Sequence, residues 1–521
     1  MLKETLDHRE DLRKFLFIRG FLMTDHPLSG LDEFPFYGNF NEVQLDGYYF
    51  YTHNLQKLSY ARNGTATAFI AGHAYNPFTM EHEEEKVLDR ILEGFGTDTF
   101  IDRVNEITGV FVLGIIDSGK ITYFVDPAGM QSACWGIIEN HFYISSHPQL
   151  IGDICHLEMD GFVNELIHYK WYGRVFGPYL PADLSPFSQV KRIIPSIKYV
   201  YGAGKLSHKR IWPLETIKVA DDEDDYNKII EKSGDILKNN MELISRKWNK
   251  PYISLTGGID SNTTFAAANG LYDRFETFSY ISAEKEIRDA EAAEKIANAF
   301  NVPHHVYNIP ETPESLKDYD IKVAIQAHNS GHIAVRKGNE SRKRVYLEEH
   351  CDCDVEVKSW VSETIRGYFY KHFARKKLPP LSGKFYRNLY KIFIEDRKLA
   401  HKIDKIFDSF LDEFEYRKIP EQYPCADIYY NEDMWGSWGG LNISEMKFCF
   451  DLTMPFNNRI LLDTLFHAPL EKRVSDRHLL DVRKYLNKQL YDMNIRVVNM
   501  EETDFRARML NLILVYNTLL P

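Results

Sequence analysis

The chain has 521 residues, 44% of them hydrophobic and 26% charged, with a net charge of −12. It is too long for one hydrophobic core, so two or more domains are expected. The acidic balance argues against nucleic acid as a partner. The lack of any run of about 18 apolar residues argues against a membrane span. The charged start MLKETLDHREDLRKF and six scattered cysteines without a CxxC pair fit reduced thiols and a cytoplasmic location.

In chain order, Phe36 to about Tyr201 carries short alternating runs such as YYFYTH, TATAFIAG, GVFVLGIID, KITYFVD and NHFYISS. They read as strands, and the turns DSGK (117–120) and DPAG (126–129) predict antiparallel hairpins, with a helix from about Glu81 to Phe95 between them. The acidic run ADDEDD (220–225) reads as a solvated linker and helix start ahead of YNKIIEKSGDILKNNMELISRK, and it divides the chain into domains 1–218 and 219–521. Next come a strand over 252–256, a helix over about 261–270, a strand over 276–281, a helix over about 288–300 and a strand over 304–309. Such alternation implies right-handed crossovers and a parallel sheet. From Ile321 to Pro521 the pattern is helical, with the aromatic-rich stretch MWGSWGGLNISEMKFCFDLTMPFNN.

The stretch LTGGIDS (255–261) falls between the first of these strands and its helix. Adjacent glycines allow positive φ and close backbone approach, and the helix start offers unpaired N–H groups, so an anion fits there. Thr256 and Ser261 add hydroxyl donors. Asp260, a carboxylate in an anion-seeking turn, makes sense if it holds a cation that bridges phosphates. No GxxxxGK[ST] loop occurs.

LTGGIDS resembles the SGGxDS loop of the N-type ATP pyrophosphatases, with Thr256 in place of the first Ser. The stretch FETFSYISAEKEIRDAEAAEKIANAFNVPHHVYNI and the later FDLTMPFNNRILLDTLFHAPLEKR are similar to asparagine synthetase segments, with Asp451 at a Glu position and Pro455-Phe456 at the PF. EITGVFVLGIIDSGKITYFVDPAGMQSACWGIIENHFYISSHPQLI resembles the amidotransferase sheet of the same group. The resemblance, shared with β-lactam synthetases, implies an N-terminal antiparallel Ntn-hydrolase-like αββα sandwich. It also implies a C-terminal adenine-nucleotide α-hydrolase-like parallel sheet with a helical extension. ATP contacts are implied for Leu255, Thr256, Gly257, Gly258, Asp260, Ser261, Ser279 and Lys358, and Mg²⁺ ligation for Asp260 and Glu363.

The departures narrow the reading. Glutaminases of this group use an N-terminal cysteine; residue 2 is Leu, and the first cysteine is Cys134. The glutamine-gripping NGE triplet is replaced by Ala71, Gly72 and His73, the last a rim or core histidine or a ligand of a repurposed pocket. The second signature is reduced to VKSWVSETIRGYFY: Ser362 stands at the metal-binding Asp, Glu363 keeps the adjacent acid, and Gly367-Tyr368 match its end. Lys358 or Arg366 is a candidate phosphate contact. The family's catalytic lysine aligns loosely with Arg477, giving Glu363 and Arg477 as expected catalytic residues. His328 and His332 and the CDC at 351–353 read as structural, and Trp435 with Trp438 reads as aromatic packing or as the lining of a substrate pocket.

The expected function is an ATP-dependent ligase that adenylates a carboxylate of a small molecule or peptide. It then forms an amide with ammonia or an amine, without hydrolysing glutamine. The other reading is a catalytically silent interaction protein of the same fold. A homodimer fits either.

Overall fold

The computed structural model describes residues 2–29, 37–174, 177–334, 338–497 and 504–519. Among these, the first half of the chain contributes twelve strands: β1 (Phe21–Thr24), β2 (Phe40–Leu45), β3 (Tyr48–His53), β4 (Leu58–Asn63), β5 (Ala66–Tyr75), β6 (Thr108–Asp117), β7 (Lys120–Val125), β8 (Cys134–Ile138), β9 (His141–Ser145), β10 (Val190–Arg192), β11 (Ile197–Gly202) and β12 (Lys205–Arg210). They form two six-stranded antiparallel sheets, ordered β10-β8-β9-β1-β3-β2 and β12-β11-β7-β6-β5-β4. The DSGK turn joins β6 to β7 with Ser118 and Gly119 both at positive φ, the geometry that suits the twist of a two-residue hairpin.

Strand alternation sorts the side chains into layers. Phe50 of the first sheet meets Phe69 of the second, ring centroids 4.7 Å apart, and Phe21, Val110 and Val112 join the same core. On the other face of β5 and β6, Ala68, Ile70 and Leu113 pack on Val87, Leu88 and Ile91 of the Glu84–Gly94 helix. Leu22, Tyr51 and Tyr143 on the outer face of the first sheet pack on Leu6 and Leu12 from the N-terminal helices and on Leu150 and Ile151. The order of layers is helix, sheet, sheet, helix.

The acidic run caps a helix: the Asp222 side chain accepts the Asp225 N–H, and Glu223, Asp224 and Asp225 fill the first turn of Glu223–Lys247, where carboxylates favour the helix dipole. Beyond it lies a five-stranded sheet, ordered β15-β14-β13-β16-β17. Its strands are β13 (Pro251–Ser254), β14 (Glu276–Ile281), β15 (His304–Asn308), β16 (Val355–Val357) and β17 (Asp451–Thr453). All neighbours are parallel. β13 is central and ends at Ser254, two residues earlier than its pattern predicts, and the following helix is Ile259–Ala267. Tyr430–Gly439, inside the aromatic-rich stretch, is a wide π-helical segment. No described helix is long and apolar enough to cross a membrane, and all six cysteines are unpaired.

The halves share one core and are tied by buried polar contacts. Arg210, fully buried, donates to both oxygens of the equally buried Glu432 at 2.7 and 2.9 Å. Asn457 donates to Gly109 O and Asp126 Oδ1, both at 2.7 Å, and Tyr75 OH lies 3.0 Å from Thr453 Oγ1.

Candidate functional site

Tyr252 and Ile253 are buried in β13, which delivers the chain to the carboxyl end of the sheet, where Leu255 donates its N–H to Phe278 O at 2.9 Å. The turn that follows is held by its own hydroxyls. Thr256 N–H reaches Ser261 Oγ at 3.2 Å, Gly258 N–H reaches Thr256 Oγ1 at 3.0 Å, and Ser261 Oγ donates to Thr256 O. The hydroxyls expected to face a ligand thus hold the loop in shape. Neither glycine has positive φ. No side chain caps the Ile259–Ala267 helix, so its first-turn N–H groups keep their capacity for an anion.

The protein's own groups approach the turn closely. Gly257 N–H donates to Asp289 Oδ1 at 3.1 Å, and Gly257 O accepts Val497 N–H at 2.9 Å. Burial pushes the Asp289 carboxyl above its usual range.

Asp260, in the first helical turn, accepts Ser362 Oγ on Oδ1 and Arg366 Nη1 on Oδ2, each at 2.6 Å. Ser362 opens a short turn preceded by Val361 at φ 79°, a left-handed conformation that is strained for a β-branched residue. Arg366 also donates Nε and Nη2 to the two oxygens of Asp476 at 2.8 and 3.1 Å, and Lys371 binds the same carboxylate. Burial pushes the Asp476 carboxyl up, but Arg366 and Lys371 outweigh it and hold it at about 2. Glu363 accepts from Tyr430 OH; burial first, then the Asp260 charge, raises its pKa.

The expected divalent cation does not fit this arrangement. Both Asp260 oxygens are committed, and Arg366 stands between Asp260 and Glu363, its Nη1 3.8 Å from Glu363 Oε1. Among the described residues, the side-chain groups close enough to share one ion include neither acid. Asp260, Glu363 and Asp476 face Arg366, Lys371 and Arg496, so the neutralising charge comes from side chains.

The other expected residues divide. Lys358 pairs with Glu356 at 2.8 Å and lies 4.7 Å over the Trp360 ring, which packs on Trp435 and Trp438. Ser279 on β14 is engaged by His304 Nε2 at 2.9 Å; burial lowers that histidine to about 4. Arg477 does not join the cluster: its side chain is 52% exposed and bonds Asp481. The preceding residue, Asp476, is the one that turns inward. Lys371, Asp476, Asp289 and Val497 carry no mark in the sequence that separates them from other residues of their types. His328 bonds Asp153, and Cys351 and Cys353 lie with their sulfurs 3.5 Å apart.

In the first half, Leu2 lies in a helix ahead of β1, and Arg19 and Gly20 are the residues that enter the strand. Arg19, Gly72 and His73 line a cavity of about 350 Å³ together with Lys247, Lys447 and Asp451, and none of its lining residues is a cysteine. His73 is buried, with Nδ1 3.4 Å from Asp451 Oδ2 and Nε2 without a hydrogen-bond partner. Burial pushes the Asp451 carboxyl up, but His73, Lys447 and Arg19 outweigh it and hold it well below its usual range.

Residues 251–327 match the asparagine synthase family model. No curated protein matches the sequence. Among solved structures, the glutamine phosphoribosylpyrophosphate amidotransferase of B. subtilis, complexed with ADP and GMP, is 9% identical with a TM-score of 0.23; the alignment covers 57% of this chain and 61% of that one. An allosteric regulatory enzyme of purine biosynthesis is 8% identical with a TM-score of 0.24, covering 68% and 74%. The glutamine-dependent NAD+ synthetase of Acinetobacter baumannii, in complex with ADP, is 12% identical with a TM-score of 0.17, covering 51% and 52%. Overlaps this loose carry no argument about activity. The family match falls on the segment that holds the LTGGIDS turn, and over residues 251–327 the chain is similar to the asparagine synthase family.

Proposed function

We propose that the chain is an ATP-dependent amide ligase that adenylates a carboxylate at the Leu255–Ser261 turn. A carboxylate oxygen attacks the α-phosphorus and pyrophosphate leaves. The nitrogen of ammonia or an amine then attacks the acyl carbon, and AMP departs as the C–O bond breaks. The observation that carries this reading is the uncapped helix start at the carboxyl end of the central parallel strand, within the family-matched segment. Arg366 and Lys371, adjoining Asp260, supply positive charge to the phosphates, which is worth most when it is fixed in place before reaction. The residues lining the cavity around Gly72 and His73 include no cysteine, which supports a nitrogen supplied without glutamine hydrolysis. ATP–pyrophosphate exchange screened across candidate acids tests the proposal. Exchange with at least one acid is expected, and no glutamate should form from glutamine. ATP binding absent at millimolar nucleotide overturns the reading.

A second reading, a silent interaction protein, is favoured by the closed state of the turn: Asp289 holds one N–H, Val497 covers Gly257, and Arg366 neutralises Asp260. Equilibrium dialysis with labelled ATP separates the two, since only the ligase requires the Val497 segment to give way to nucleotide.

A further inference from the structure

The end of β1 and the start of β9 meet on the first sheet. The two strands pair antiparallel with Thr24 opposite Tyr143, which puts Asp25 and His26, just after β1, beside His141 at the head of β9. Asp25 Oδ1 lies 3.4 Å from His26 Nδ1 and 3.3 Å from His141 Nδ1, and one ligand atom from each residue lies within 4.8 Å of the other two. A carboxylate bonded directly to an imidazolium closes to about 2.7–2.9 Å. These two contacts are hydrogen bonds longer than that. Their lengths equal the edge of a tetrahedron whose arms have the roughly 2.0–2.1 Å of zinc to nitrogen or oxygen, and the His26 and His141 rings, with centroids 3.7 Å apart, must splay for both to face one ion.

The surroundings suit the same ligand set. Tyr201 OH donates to Asp25 Oδ2 at 3.1 Å, holding the oxygen that does not face the histidines, and Tyr143 OH stands 3.4 Å from His26 Nε2. Such partners fix a carboxylate and an imidazole in ligating orientation. The Thr24 hydroxyl, 2.8 Å from His26 Nδ1, must turn off that nitrogen toward the fourth corner, which is otherwise left to water.

We propose that Asp25, His26 and His141 bind a single borderline divalent cation, Zn²⁺ by its preference for imidazole, with one open position. Two imidazoles and one carboxylate favour zinc over magnesium or calcium.

The test uses the full chain without a histidine tag, stripped by chelator and titrated with Zn²⁺ against a competing chromophoric chelator, with Mg²⁺ as a second arm. One equivalent of Zn²⁺ and no comparable Mg²⁺ binding are expected. The half-exposed His141 can change to Ala without opening the core, so His141→Ala should fold and bind at least roughly tenfold more weakly. Asp25→Asn should do the same, and Cys351→Ser should bind as the parent does. Failure of the parent protein to bind Zn²⁺ at micromolar concentrations overturns the proposal. So does an equivalent that survives both His141→Ala and Asp25→Asn, or one lost in Cys351→Ser.

Discussion

Gly257 and Gly258 are glycines for different reasons. A Cβ on Gly257 would stand 2.2 Å from Val497 Cγ2 and 3.1 Å from Ala292 Cβ, whereas one on Gly258 would meet only Thr256 Oγ1 at 3.1 Å. Gly258→Ala should therefore melt within a few degrees of the parent yet, on the proposed function, bind ATP at least roughly tenfold more weakly, because the methyl group would crowd an anion held at the helix start. Calorimetry and equilibrium dialysis measure the two effects separately. Asp260 orients Arg366 through a 2.6 Å ion pair, so Asp260→Asn should lower pyrophosphate exchange by roughly 10²-fold, the scale of losing one electrostatic contact in a transition state. Exchange at the parental rate with an accepted acid would reduce Asp260 to a structural role. Asp476 supplies the pH signature. Its folded pKa of about 2 lies below the unfolded value, so the stabilisation is present above about pH 4 and is lost as pH falls through 2. The shift corresponds to about 2.5 kcal/mol. Asp476→Asn should flatten the melting temperature against pH in that window.

At the scale of elements, the β5–β6 pair shows how a strand pattern can hide a special residue. Gly72 sits in β5 at φ 125°, and a Cβ there would lie 2.2 Å from Val110 O on β6. The sequence pattern AFIAGHAY gives the strand, and the cross-strand contact gives the reason for the glycine. Gly72→Ala should cost about 1–3 kcal/mol by forcing a strained backbone, read as a lower denaturant midpoint at unchanged slope. β14 runs over Glu276–Ile281 as expected, and Thr277, Phe278 and Ser279 are buried in succession, as in a parallel strand covered on both faces. The sequence pattern carries β13 two residues too far because Leu255 is apolar, while the backbone has already left the pairing with β16. Arg477 shows the limit on helices. Asp476 precedes the helix Arg477–Leu486 in a left-handed conformation at φ 60°, and that turn puts its carboxylate inside while Arg477 faces out.

At the scale of the molecule, the Arg210–Glu432 pair joins the last strand of the antiparallel sheets to the π-helical segment between β16 and β17 of the parallel one. Both side chains are fully buried. Arg210→Ala leaves Glu432 charged and unpaired in the core, which should cost about 3–5 kcal/mol. Since one core spans both halves, calorimetry should record a single transition at lower temperature rather than a separate early one for the first half.

The sequence by itself determined the class of each half. Alternation with turn residues is a local property, and so is a strand, two glycines and a helix in succession. It also carried the family segment, because the LTGGIDS turn makes its bonds within a few residues. Only the tertiary structure decided what faces the turn. Arg366, Asp476, Asp289 and Val497 arrive from distant parts of the chain, and a charged residue looks the same in sequence whether it bonds a neighbour, as Arg477 does, or crosses the site, as Arg366 does. The same holds for the cation expected at Asp260 and Glu363. Two acids at matching positions imply a metal until packing sets a guanidinium between them, and the length and fork of arginine then meet the charge that an ion was expected to meet.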